Sequence, residues 1–196
     1  MENPLVRTRK VLSGMLTEKL LEKVKSDVHC HCVAKGDTEG PGINPLVPRD
    51  CVCAFAMAKL LVELNIFDSY IAVAPEGHVY GYFFEKLENR VLSVFVDYPP
   101  KTLRTIDDLS LVTGGHVLIL EDDVISGITL RFVVDELAKH TPRAMSLYLG
   151  REKDYQQVQN VPSEIERIYF AEDWLDPGLR DRFEAEFVQF FGRELE

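Results

Sequence analysis

One stretch constrains the chain more than any other: Val117-Leu118-Ile119-Leu120-Glu121-Asp122-Asp123-Val124-Ile125-Ser126-Gly127-Ile128-Thr129. Its four apolar residues have the pattern of a strand buried on both faces. Three carboxylates follow, then Ser-Gly-x-Thr, then a helical pattern from Leu130 to His140. In an open α/β sheet, ligands bind at the carboxyl ends of strands. Backbone N–H groups at a loop-to-helix junction attract anions, and Gly127 lets the backbone come close. Ser126 and Thr129 add hydroxyls. The carboxylates would repel the same anion, so they suit sugar hydroxyls or a divalent cation with oxygen ligands. Phosphate, vicinal hydroxyls and a metal within one turn of chain describe a phosphorylated sugar.

Length and charge narrow the field. A chain of 196 residues, 46% of them hydrophobic, is expected to make a single domain with a sizeable core. Its net charge of −10 argues against a nucleic-acid surface, which needs clustered Lys and Arg. No apolar run approaches membrane-spanning length and no leader pattern opens the chain, so a cytoplasmic protein without membrane partners is expected.

The order and spacing of 117–129 resemble the phosphoribosyl-pyrophosphate motif of type I phosphoribosyltransferases. Four apolar residues precede an acidic pair, Glu121 and Asp122. Three variable residues, Asp123, Val124 and Ile125, lead to the phosphate loop at Ser126, Gly127, Ile128 and Thr129. The resemblance implies an α/β fold, a mostly parallel twisted sheet with helices on both faces. A small hood from the terminal segments would cover it. It also implies magnesium, a homodimer, and substrates consisting of phosphoribosyl pyrophosphate and a base. The activity implied is transfer of phosphoribosyl to a nitrogen nucleophile, with pyrophosphate released. The alternative is a ligand-sensing regulator on the same fold with little or no turnover.

The chain is expected to form one domain with an N-terminal helix and loop over 1–48, an α/β core over 49–170, and a hood with a C-terminal helix over 171–196. Apolar spacing from Val11 to Val24 predicts an amphipathic helix over Leu5 to Lys25. His29-Cys30-His31-Cys32 and Cys51-Val52-Cys53 hold all four cysteines. Zinc at Cys30, Cys32, Cys51 and Cys53 is one reading. Buried or free thiols fit the spacing better, because paired zinc ligands usually stand further apart. A helix is predicted from Asp50 to Leu64, a strand from Tyr70 to Ala74, and a second helix to about Glu88.

Between that strand and helix, the resemblance places a pyrophosphate loop at Ala74, Pro75, Glu76 and Gly77. Glu76 stands where a basic residue would help an anion. His78 is an ordinary helix-start histidine or a ligand donor. Strand Val91 to Val96 is followed by a long polar connection to Thr113. Long connections of this kind are uncommon unless functional. The resemblance implies a mobile lid there, with Lys101 and Arg104 as the catalytic cations beside Glu121 and Asp122. Strands are predicted at Ala144 to Leu149 and Ile165 to Phe170. Arg151, after the first, and Trp174, after the second, are the base-binding candidates; Tyr169 and Phe170 fit the core better. Asp122 and Asp176 are the metal candidates. The last helix carries Leu179, Phe183, Phe187 and Phe190 on one stripe, and Arg180 and Arg182 at its start could face pyrophosphate. In many members the residue two before the glycine is an Asp or Thr that contacts the base or its proton. Ile125 can do neither.

Overall fold

The computed structural model describes residues 4–37, 48–97, 102–105, 107–150, 157–170 and 177–193. The chain runs α1 (Pro4–Ala34), α2 (Pro48–Glu63), β1 (Ser69–Ala74), α3 (Glu76–Lys86), β2 (Val91–Asp97), β3 (Thr102–Thr105), β4 (His116–Glu121), α4 (Ile128–Ala138), β5 (Ala144–Leu149), β6 (Ile165–Phe170) and α5 (Pro177–Gly192). Two short 3-10 turns, Leu109–Val112 and Gln157–Asn160, punctuate the connections.

One six-stranded sheet has the order β3-β2-β1-β4-β5-β6. All neighbours are parallel except β2 and β3. The strand order reverses between β1 and β4, so the carboxyl ends of those two strands flank the switch point where α/β sheets bind ligands. Helices cover both faces. On one face, Ala72, Leu118, Leu120 and Tyr148 pack with α3, and behind it α1, α2 and α5. On the other, Ile71, Val73, Val117, Ile119 and Leu147 pack under α4 and the 109–112 turn. Alternate residues of β1 and β4 thus feed opposite cores, as near-continuous apolar strands in a sheet covered on both sides must.

Three sequence expectations need correction. The first helix does not stop at Lys25 but runs to Ala34, carrying His29-Cys30-His31-Cys32 as about one of its turns. Leu20, Leu21, Val24, Val28 and Cys32 keep one stripe of it buried, and nothing before Gly36 breaks it. It ends where Gly36 N–H donates to Val33 O at 3.0 Å and Asp37 N–H to Cys32 O at 3.1 Å, the paired bonds of a Schellman stop. Second, the connection read as a lid contains β3, an edge strand antiparallel to β2 with Arg104 opposite Phe95. Third, the buried stripe of α5 runs through Phe183, Phe187 and Phe191, while Phe190 is 36% exposed. The 171–176 segment expected to form the hood lies outside the described residues; the helix after it, α5, packs on α2 and α1.

Among the described residues, no helix is long and apolar enough to cross a membrane. None of the four cysteines is in a disulfide; Cys32 and Cys51 are buried. No group of three or more His, Cys, Asp or Glu side chains among the described residues is placed to hold a metal, so the zinc alternative finds no cluster.

Candidate functional site

At the carboxyl end of β4 the chain leaves the sheet through Asp122 to Gly127 and enters α4. A cavity of about 400 Å³ opens there, lined by Glu76, Glu121, Asp122, Asp123, Val124, Ile125, Ser126, Gly127, Thr129 and Leu130. The acidic pair and the Ser-Gly-x-Thr loop therefore face one hollow. Of the residues from Glu121 to Thr129, Ile128 alone does not line it; Ile128 is 44% exposed.

The turn is built by Gly127. Its φ of 71° is left-handed, and a side chain added there would overlap the Asn160 carbonyl. Glycine therefore meets both a backbone and a space requirement. Gly127 O accepts from Arg131 N–H at 2.9 Å, starting the helix. Asn160 Nδ2–H donates to Ile125 O at 2.7 Å, bracing the turn from outside. Ser126 Oγ accepts weakly from Ile128 N–H at 3.4 Å, an arrangement easily exchanged for a ligand oxygen.

The facing wall comes from β1 and α3. Ala74-Pro75 is a cis peptide, and α3 begins at Glu76. A side chain at Gly77 would overlap the Leu120 carbonyl, so this helix start sits hard against β4. That contact brings Glu76 to the acidic end of the neighbouring strand.

Electrostatics single out Glu121. Its Oε2 is buried with no hydrogen-bond partner. Burial raises its carboxyl well above the usual range, and the charges of Asp122 and Glu76 push it further up. Burial also raises Glu76, and Asp122, Asp123 and Asp37 add to it. Burying a carboxyl unpaired is costly and is seldom retained without a use. The described residues lining the cavity include no Lys, Arg or His.

Next to this wall lies a buried cluster that sequence reasoning missed. His78 Nδ1–H donates to Asp37, 2.9 Å from both carboxylate oxygens, and the two side chains are 1% exposed. His78 N–H also donates to Pro75 O at 3.1 Å. Cys32 is hydrogen-bonded to Asp37, and its thiol is pushed up to about 12 by burial, then by the Asp37 charge and that bond. Such a thiol is inert. His78 is thus a core histidine that ties α3 to the end of α1, and it does not line the cavity. Lys35 bonds Glu85 at 2.6 Å and reinforces the same junction. The signal available was the Gly36-Asp37 pair, a helix stop followed by an acid.

Arg104 lies on β3, 4.3 Å over the Phe95 ring and 3.6 Å from Asp97, away from the cavity-lining set. Arg182 pairs with Glu186 at 2.8 Å on α5. Tyr169 is buried with the α3-side core, and Phe170 packs against the other. Lys101, Arg151, Trp174 and Asp176 lie outside the described residues.

No family model and no curated protein matches the chain. Solved structures do. A purine phosphoribosyltransferase from Pyrococcus horikoshii Ot3 is 18% identical with a TM-score of 0.46, over 62% of this chain and 81% of that one. A hypoxanthine-guanine phosphoribosyltransferase from Bacillus anthracis is 21% identical with a TM-score of 0.44, over 64% and 79%. A hypothetical protein from Neisseria gonorrhoeae with bound ppGpp is 18% identical with a TM-score of 0.41, over 71% and 92%. The case for an activity accordingly rests on the site's own residues. In the order and spacing of residues 117–129, what this chain is similar to is the motif of type I phosphoribosyltransferases.

Proposed function

We propose that the chain transfers phosphoribosyl from phosphoribosyl pyrophosphate to a nitrogen nucleophile and releases pyrophosphate. The observation that carries this reading is the shared hollow: Ser126, Gly127 and Thr129 line the same cavity as Glu121 and Asp122. A sugar phosphate spans those two chemistries. Its phosphate would meet the hydroxyls and backbone N–H groups at the start of α4, with Asp123 to Ile128 shaping the turn. Its ribose hydroxyls would meet the acidic pair.

The reaction builds positive charge on the sugar and negative charge on the leaving group. The protein's part is positioning and electrostatics. Contacts at the far phosphate orient the sugar without touching the reacting bond. Asp122 would accept from a ribose hydroxyl and favour the developing cation. Burial raises the Glu121 carboxyl well above the usual range, which favours the form that donates a proton as well as accepting. The wall at Ala74 to Gly77 would face the pyrophosphate, where Glu76 cannot bind an anion unless it is protonated or a cation intervenes. Magnesium, when bound, neutralises pyrophosphate. One or two carboxylates plus substrate phosphates are its usual ligands, and Asp122 with Asp176 would supply the chain's share. Lys101 and Arg151 would supply cations to the leaving group and the base, and Trp174 an aromatic face. Arg104 would have to leave Phe95 and Asp97 to join them.

A second reading, a sensor of the same sugar phosphate, is favoured by Ile125. It stands 68% exposed at the cavity and carries no proton donor or acceptor. Calorimetry with phosphoribosyl pyrophosphate and magnesium, followed by a pyrophosphate-release assay over a panel of bases, tests both. Binding with release supports the transferase. Binding without release supports the sensor. No binding removes both.

A further inference from the structure

One residue outside the cavity touches its phosphate loop twice. Asn160 ends the second 3-10 turn, 35 positions beyond Ile125 in the chain, and is exposed. Its Nδ2–H donates to Ile125 O at 2.7 Å. Its own carbonyl stands where a side chain at Gly127 would have to go. The two contacts fall on either side of Ser126. Only the amide nitrogen of Asn160 can face a carbonyl oxygen; a carboxylate there has no proton to give. The brace has a footing of its own. Val161, the next residue, packs against the α4-side core. Glu164 takes the Arg131 guanidinium on both oxygens, at 3.0 and 3.1 Å. Arg131 N–H in turn donates to Gly127 O at 2.9 Å. Asn160 is therefore carried by a segment that is bonded to the first turn of α4.

An exposed hydrogen bond adds little to global stability, because water competes for both of its groups. What it sets here is a direction. The Ile125–Ser126 peptide is trans, so its carbonyl and its N–H point opposite ways. Fixing Ile125 O toward Asn160 fixes Ser126 N–H away from Asn160. Ser126 lines the cavity and Asn160 does not. A peptide left free at this point turns either way, and one of the two aims a carbonyl oxygen at an anion and repels it. The loop's own bond from Ile128 N–H to Ser126 Oγ is long, at 3.4 Å, and does not fix that peptide. We propose that Asn160 is a positioning residue for the sugar phosphate: by drawing the Ile125 carbonyl outward, it presents Ser126 N–H to the ligand's phosphate. The proposal rests on the sugar-phosphate reading of the cavity above, with or without turnover. Asn160 acts through the loop and touches no ligand atom. Its contribution is a loop ordered before the ligand arrives.

The experiment compares the full chain with Asn160→Ala, which removes the donor, adds no charge and leaves the core untouched. Calorimetry in magnesium measures binding of phosphoribosyl pyrophosphate, ribose 5-phosphate and pyrophosphate alone. The variant is expected to bind both sugar phosphates about 5- to 10-fold more weakly, the worth of one hydrogen bond, and pyrophosphate as the wild type does. The Ser126 amide proton is expected to move downfield when ribose 5-phosphate saturates the wild type, and to move less in the variant. The urea midpoint of the variant is expected to match that of the wild type. Unchanged binding of the sugar phosphates overturns the proposal and leaves the reading of the cavity standing. So does an equal loss for all three ligands, or a large fall in the urea midpoint, since either would mark a general disturbance. A wild-type chain that binds neither sugar phosphate removes the reading of the cavity and the proposal with it.

Discussion

Two buried carboxyl groups lie on either side of the start of α3, and they differ in one respect. Asp37 is enclosed and fully partnered: His78 donates to both its oxygens and Cys32 bonds it as well. Glu121 is equally enclosed, yet one of its oxygens has no partner. A satisfied buried acid fixes structure. An unsatisfied one is a standing cost that a ligand relieves. The difference separates a latch between α1 and α3 from a site, although both groups are acids beside the same helix.

Exchanging each acid for its amide sets that contrast to the test. The largest effect is expected from the site. Glu121→Gln and Asp122→Asn should each lower kcat/KM for pyrophosphate release by about 10² or more, as removal of a preorganised electrostatic group does. Their urea unfolding midpoints should stay at or above that of the wild type. Unfolding of Glu121→Gln under native conditions would erase the distinction. Asp37→Asn should do the reverse. It leaves a buried histidine with a weaker partner and should cost about 1–3 kcal/mol by urea denaturation, while the folded fraction still binds phosphoribosyl pyrophosphate in calorimetry.

A third test uses pH. The folded state raises the carboxyls of Glu121 and Glu76, so it binds protons more tightly than the unfolded chain. Stability from these groups is complete below their unfolded value, near 4.5, and is lost as pH rises through the raised folded values. The urea midpoint should therefore decline as pH rises above that value, and Glu121→Gln should flatten the decline. An unchanged slope in the variant would show that Glu121 is not the group responsible. The smallest effect is expected where neither kind of burial applies. Arg131 bonds both oxygens of Glu164, at 3.0 and 3.1 Å, with the pair 47% and 43% exposed. Arg131→Ala should change stability by about 1 kcal/mol or less.

Sequence patterns reveal these regions unequally. The central strand and its acidic exit are legible because a strand covered on both faces must be apolar throughout, and the break in that run marks its end. Strands Ala144–Leu149 and Ile165–Phe170 fall where apolar runs predict them. Strand β3 is not legible: Thr102-Leu103-Arg104-Thr105 sits at an exposed edge, offers one apolar residue, and is a strand only because β2 lies beside it. The tail of α1 is obscured by chemistry. His29 to Cys32 suggests ligands, while the helical spacing of Val28 and Cys32 carries the structural message. The Asp37–His78 pair joins residues 41 apart through tertiary packing; Gly36-Asp37 marks a helix stop and an acid, but not the histidine that acid meets. Sequence marks the turn at Gly127; the Asn160 carbonyl that forbids a side chain there comes from a distant segment.

Gly150 and Asn160 are moored at the two ends of the exit from β4. Gly150 N–H donates to Glu121 O at 3.0 Å, and Asn160 Nδ2–H donates to Ile125 O at 2.7 Å. Two bonds from outside thus hold the backbone around the phosphate loop in place before any ligand arrives, which leaves less of it to be ordered on binding. Slackening either knot, at Gly150 or at Asn160, would loosen the grip on the sugar.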